Sequence, residues 1–286
     1  MSGSIGGNRI PRELVPSVLD SYEKTVLNTF GSYVKVAITG SYNAGTKKDH
    51  GDLDLIILVK GMDPKLLKRR FREHLDSMED VLPKFKSGHH QGKVSQMYGN
   101  IVTCGWWLPD GNYVQVDNII TVSEADFEFQ RNFLNLEASK QALLMGYVRC
   151  VLSKKRLDGF FDTKSLPKPK KNQEYEFVLS SCGLSLRLVT LEDFKEVSRV
   201  EVWRTNEWSM VECLIRGAFR LKDSYEDILN SIAKGFSDDE RSRRRIVGVM
   251  KSMINVGVGE IGTPKGEAKE AAIKLAEETL KVQNND

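Results

Sequence analysis

Ile38-Thr39-Gly40-Ser41, ten intervening residues, then Asp52-Leu53-Asp54-Leu55-Ile56-Ile57-Leu58-Val59 is the stretch on which the fold turns. Its two ends follow different patterns. Tyr33 to Thr39 alternates, with Val34, Val36 and Ile38 on one side, as a strand covered on one face does. After its first turn, Asp52 to Val59 is apolar on both faces, which marks a central strand. The polar segment from Ser41 to Gly51 carries glycines at 45 and 51 and reads as a loop. Two carboxylates open the second strand; at a spacing of two they project from one face, about 7 Å apart along the backbone.

Working outward, Pro16 to Phe30 predicts a helix, with Pro at its first turn and Leu19, Tyr22, Val26 and Phe30 repeating at three and four. Gly31 ends it. Pro64 opens another, with Leu67, Phe71, Leu75 and Met78 on one stripe and its basic residues outside. Gly92 to Leu108 is β-like, Pro109-Asp110-Gly111-Asn112 is a turn, and Tyr113 to Val122 is the returning strand. Residues 1–123 therefore read α-β-β-α-β-β, a small mixed sheet with helices.

The pattern changes at Ser123. One long helix is expected to about Arg156, then a Pro-flanked linker at Lys168 to Lys171. A single small hairpin follows, Tyr175–Leu179 with Leu184–Leu188, and helices run to the end. Ser237-Asp238-Asp239-Glu240 forms a capping box ahead of a helix from Arg241 to Asn255. A last helix covers roughly Glu267 to Val282. The second part, 124–286, is thus expected to be mainly helical.

Chemistry concentrates in the first part. Asp52 and Asp54 share a strand face, and Asp117 sits in Gln115-Val116-Asp117-Asn118 on another strand, among apolar neighbours. Carboxylates rarely occupy such positions unless something neutralises them, and a divalent metal is the natural partner. Oxygen ligands alone favour Mg²⁺ or Mn²⁺ over zinc. Two such ions roughly 4 Å apart activate an attacking hydroxyl and stabilise the leaving group of an in-line phosphoryl displacement. Small residues at Gly40 and Ser41 let backbone N–H groups approach a triphosphate closely. Lys47 and Lys48 in the same loop are further candidates for phosphate contact.

These residues resemble the nucleotidyltransferase signature of the DNA polymerase β superfamily: an apolar strand end, Gly-Ser, a loop of this length, and Asp-apolar-Asp-apolar, with a third carboxylate on a later strand. Gly40-Ser41-Tyr42-Asn43-Ala44-Gly45-Thr46 is further similar to the Gly-Ser-x-x-x-Gly-Thr of CCA-adding, oligoadenylate-synthase-like and minimal nucleotidyltransferases. The likeness spans roughly residues 33 to 122. It implies an α+β fold, with a polymerase-β-like catalytic domain (1–123) followed by a mainly helical substrate-binding domain (124–286). It also implies transfer of a nucleoside monophosphate from an NTP, ATP or CTP, with release of pyrophosphate. Asp52 and Asp54 would bind both metals. Asp117 would bind the catalytic one and help activate the acceptor, and Gly40 and Ser41 would hold the β- and γ-phosphates. Two positions depart from the pattern: Gly51 replaces the Ser usual before the first Asp, and Asn43 stands where relatives carry a basic or small residue. Neither removes a metal ligand.

Composition adds limits. Hydrophobic content of 40% and charged content of 28% are those of a globular chain. No apolar run approaches the ~20 residues that cross a bilayer. The Gly/Ser-rich start, Met1 to Asn8, lacks an apolar signal core, and four scattered cysteines without Cys-x-x-Cys spacing suit a reducing compartment. A soluble, cytoplasmic protein is the expectation. Net charge is only +3, but basic clusters at 65–72, 154–156, 168–171 and 241–245 favour a nucleic-acid acceptor, an RNA 3′ end, over a small molecule or protein. A non-catalytic RNA-binding protein is the reading from another class. Three signals are set aside. Gly257-Val258-Gly259-Glu260-Ile261-Gly262 follows a helix rather than a strand. His89-His90 reads as a solvated loop, and adjacent Trp106 and Trp107 face opposite sides, so at least one is core. Oligomeric state is left open.

Overall fold

The computed structural model describes residues 5–31, 35–43, 47–136, 138–150, 154–192 and 195–216, with Arg220 and Asp227 as isolated positions. The chain divides into two units, Met1–Glu137 and Ala138–Asp286. The first contains β1 (Ile10–Pro11), α1 (Val15–Tyr22), α2 (Asn28–Phe30), β2 (Lys35–Thr39), β3 (Asp49–His50) and β4 (Asp52–Leu58). It continues with α3 (Pro64–Asp76), β5 (Ser95–Tyr98), β6 (Ile101–Trp107), β7 (Tyr113–Thr121) and α4 (Glu124–Leu134). A wider, π-type turn at Glu23–Leu27 joins α1 to α2, so the helix expected over Pro16–Phe30 is one helical run with a bulge inside it.

Five strands form one mixed sheet in the order β2-β4-β7-β6-β5. β4 and β7 run parallel, and the other pairs are antiparallel. β1 and β3 make a separate two-stranded ribbon. The β-like stretch expected from Gly92 to Leu108 is resolved into the hairpin β5–β6, turning at Gly99 and Asn100.

The apolar run of β4 is explained by its neighbours. Leu53, Leu55 and Ile57 face one way, with Val114, Val116 and Ile120 of β7 beside them. They bury against Val18 and Tyr22 of α1 and Leu67, Phe71 and Leu75 of α3. Each such side chain contributes roughly 1.5–3 kcal/mol when removed from water. Ile56 and Leu58 face the other way and pack with Ile119 against Phe127 of α4. Local chemistry fixes the covering helices. Asp63 caps α3 by accepting from the amides of Lys65 and Leu66, and Ser123 caps α4 by accepting from the amide of Asp126.

The helix expected from Ser123 to Arg156 is interrupted. α4 ends with Asn135 as its C-cap, and α5 (Ala138–Cys150) and α6 (Lys154–Phe160) begin the second unit. That unit continues with β8 (Gln173–Ser180), β9 (Gly183–Glu192), β10 (Lys195–Thr205) and α7 (Trp208–Ile215). The expected hairpin is β8–β9, but β10 adds a third antiparallel strand on the far side of β9. The described part of the second unit is therefore a small sheet with helices. The helices expected beyond 216, the capping box and the glycine run at 257–262 lie outside the described residues. Among the described residues no helix is long and apolar enough to cross a membrane.

Candidate active site

Strand register does most of the positioning. Asp54 of β4 is the direct partner of Thr39 on β2 and of Asp117 on β7, and Asp117 is in turn the partner of Thr103 on β6. One row across four strands thus reads Thr39, Asp54, Asp117, Thr103, all on one face. Asp52 and its partner Gln115 form the next row on that face. Further along the same face α4 covers Ile56, Leu58 and Ile119. The three aspartates are all partly buried.

Electrostatics sets these carboxylates apart. Burial, then the charges of Asp52 and Asp117, push the Asp54 carboxyl up to about 8. Burial also raises Asp117, against the lowering effect of two hydrogen bonds that it accepts. Thr103 Oγ1 donates to Asp117 Oδ1 at 2.6 Å, and Gln115 Nε2 donates to Oδ2 at 2.9 Å.

Gly40 begins the turn after β2 with φ +68°, in the left-handed region. A Cβ at this position would lie 2.0 Å from Asp54 Oδ2. The glycine is therefore required twice, by its backbone angle and by the carboxylate against it. Asn43 Nδ2 donates to the carbonyl of Ile38 at 2.6 Å and to Asn135 Oδ1 at 3.2 Å. Thr39 Oγ1 donates to the same Asn135 oxygen at 2.9 Å. The residue that terminates α4 thus pins the Gly40–Asn43 turn from one side, which gives Asn43 a structural reason of its own.

The N-terminal arm holds the loop from the other side. The amide of Arg12 donates to the carbonyl of Lys48 at 2.9 Å, and its Nη1 donates to that of Tyr42 at 2.8 Å. The guanidinium also lies 4.4 Å from the centre of the Tyr42 ring. Arg9 Nε donates to Asp49 Oδ1 at 2.8 Å. His50, fully buried, places Nδ1 2.9 Å from Ser41 Oγ. Its Nε2 has no hydrogen-bond partner among the described residues, an arrangement that costs roughly 1–3 kcal/mol. Burial, then the charges of Arg12 and Lys47, lower its pKa.

Of the two loop lysines, Lys47 is partly buried and its charge acts on Asp54. Lys48 is exposed and takes part in the ribbon through its backbone. The structure thus gathers Gly40, Ser41, Lys47, Asp52, Asp54 and Asp117 around one end of the sheet and leaves the Lys48 side chain in solvent.

The donor set suits a hard divalent cation: three carboxylates on adjacent strands, with burial and mutual repulsion disfavouring the charge on Asp54. As arranged, no three His, Cys, Asp or Glu side chains among the described residues meet around a common point. Both Asp117 oxygens already accept hydrogen bonds.

The remaining candidates fall elsewhere. Trp106 is core, edge-on to Tyr22 at 5.3 Å between ring centroids, whereas Trp107 is exposed and donates Nε1 to the carbonyl of Val81. His90 sits beside Tyr98, with ring centroids 6.1 Å apart. On α3 the basic cluster is partly paired along the helix, Arg69 with Glu73 and Arg72 with Asp76.

Sequence reasoning missed Arg12, His50, Thr103, Gln115 and Asn135. Gln115 was within reach, since it stands two before Asp117 on the same face. Thr103 and Asn135 needed the strand register and the end of α4, and His50 needed the β1–β3 ribbon. No protein-family model matches the sequence, and no curated protein matches it either.

Proposed function

We propose that this protein is a metal-dependent nucleotidyltransferase that moves a nucleoside monophosphate from an NTP to an acceptor hydroxyl, releasing pyrophosphate. The observation that carries the reading is the cross-strand pairing of Asp54 with Asp117, with Asp52 on the same face and Gly40 packed directly against Asp54. Mg²⁺ or Mn²⁺ held by Asp52, Asp54 and Asp117 would supply the positive charge that polarises the donor's phosphates and lowers the pKa of the attacking hydroxyl.

The chain's own residues do the rest. The turn at Gly40–Ser41 would offer the donor's β- and γ-phosphates backbone N–H groups at two positions whose own side chains are small. Lys47 adds a positive charge on the same side. Thr103 and Gln115 hold the Asp117 carboxylate in one orientation, so the acceptor meets a preset oxygen instead of a rotating one.

For the acceptor we favour an RNA 3′ end. Lys168, Lys170 and Lys171 are exposed in the Pro-flanked segment before β8, and Lys65 and Arg70 are exposed on α3, which suits a polyanion. The test is to incubate the full-length protein with each labelled NTP and Mg²⁺, and either tRNA and short oligoribonucleotides or a nucleic-acid-free extract. Label confined to RNA is expected. Label on protein or small metabolites would move the acceptor to the other branch of the same chemistry.

A further inference from the structure

The proposed reaction does not explain the placement of His50. It is fully buried, it lies on β3 rather than in the carboxylate rows, and its Nε2 finds no hydrogen-bond partner among the described residues. An apolar side chain of similar size would fill the space without burying an unpaired nitrogen. What the imidazole supplies is Nδ1, 2.9 Å from Ser41 Oγ.

The surroundings hold the ring in one orientation. Tyr42 meets it edge-on with ring centroids 5.5 Å apart, and Tyr42 is itself held by Arg12 over its ring and at its carbonyl. β3 pairs His50 with Ile10 of the N-terminal arm. The imidazole therefore comes from a braced ribbon, and its hydrogen bond to the Gly40–Asn43 turn is made with the hydroxyl of Ser41.

We infer that His50 is a positioning residue: it fixes the hydroxyl of Ser41, and through it the Gly40–Ser41 turn, in the orientation that grips the terminal phosphates of the NTP. This rests on the nucleotidyltransferase reading above. His50 itself touches neither donor nor acceptor. Its effect falls on donor affinity and spares the chemical step.

The experiment is a double-mutant cycle on the full-length protein, with KM for the NTP and kcat measured for parent, Ser41→Ala, His50→Phe and the double variant. Thermal melting runs in parallel. Each single change is expected to raise KM by about tenfold with kcat within about twofold. The double variant should be no worse than either single, because both remove one bond. His50→Asn, whose amide reaches the position of Nδ1, should restore KM to within about twofold of the parent. Unchanged KM in Ser41→Ala, multiplying penalties in the double variant, or no rescue by Asn would each overturn the inference. Ser41→Ala and His50→Asn carry the test should Phe at position 50 fail to fold. A parent that transfers no nucleotide from any NTP would remove the underlying reading, and this inference with it, an outcome distinct from an active parent whose variants match it.

Discussion

Gly40, in the turn after β2, faces the Asp54 carboxylate of β4 so closely that a Cβ would sit 2.0 Å from Oδ2. Any side chain at position 40 must displace Asp54 from its row. Gly40→Ala is therefore expected to lower nucleotide transfer on the order of 100-fold, as displacement of a reacting group by about 1 Å does. Gly61 provides the control. It has a similar φ of +82°, and a methyl group there would meet nothing within 4 Å. Gly61→Ala should therefore cost about 1–2 kcal/mol of stability and leave kcat near the parent's. Steady-state kinetics beside denaturant titration would separate the two.

Asp54 makes stability depend on pH in a stated direction. Its folded pKa of about 8 lies above the ordinary 3.8, so between these values the folded state holds a proton that the unfolded state releases. Stability of the metal-free protein should fall as pH rises from about 4 to about 8. Asp54→Asn removes the ionisation that favours the unfolded state above about pH 4, and should stabilise the metal-free protein at pH 7.5 by about 1–2 kcal/mol while abolishing transfer. Mg²⁺ should raise the Tm of the parent and not that of the variant. Melting curves from pH 4 to pH 8, with Mg²⁺ or with EDTA, would check all three; a variant less stable than the parent at pH 7.5 would count against the assignment.

Thr103 Oγ1 donates to Asp117 at 2.6 Å, so Thr103→Val, which keeps shape and loses the donor, frees one carboxylate oxygen. A fall in kcat of about tenfold is expected, as for partners that orient metal-binding groups, with donor KM nearly unchanged. Single-turnover kinetics would show whether the loss lies in the chemical step.

Tyr22 tests the scaffold apart from the site. Its hydroxyl, fully buried, donates to Asn118 Oδ1 at 3.0 Å, and Asn118 Nδ2 donates to the carbonyl of Val102 at 3.0 Å. Tyr22→Phe leaves the Asn118 oxygen unpaired in the core and should cost about 1–3 kcal/mol in urea titration. Transfer rates at 25 °C should stay close to those of the parent.

Much of the first unit was legible because period and burial agree in it. The unbroken apolar run of β4 follows from cover on both faces, and the stripe of Leu67, Phe71 and Leu75 follows from α3 lying on one face. Asp52, Asp54 and Asp117 were visible because charge on a central strand is costly. Partners supplied by register or by short ribbons were not visible: Thr103 is fixed by β6–β7 pairing, and His50 by a ribbon only two residues long on each side. β10 was missed for another reason. Glu196, Arg199, Glu201 and Arg204 pair three apart and give it a helix-like charge pattern, and its bulges near Ser198 and Trp203 break the alternation of a strand. As an edge strand it carries its charges on exposed positions. The break after α4 hinged on Asn135, whose side chain is engaged by Thr39 and Asn43, residues more than ninety positions earlier.

On the proposed reading, Asp52, Asp54 and Asp117 form a centre for attack at an α-phosphate. The most direct measurement follows two labels of one NTP, at the α- and γ-phosphates, through a reaction with Mg²⁺ and an RNA acceptor, for the parent and for Asp54→Asn. α-Label is expected in the acceptor, γ-label in pyrophosphate, and neither with Asp54→Asn. γ-Label in the acceptor, or equal incorporation by parent and variant, would contradict that reading.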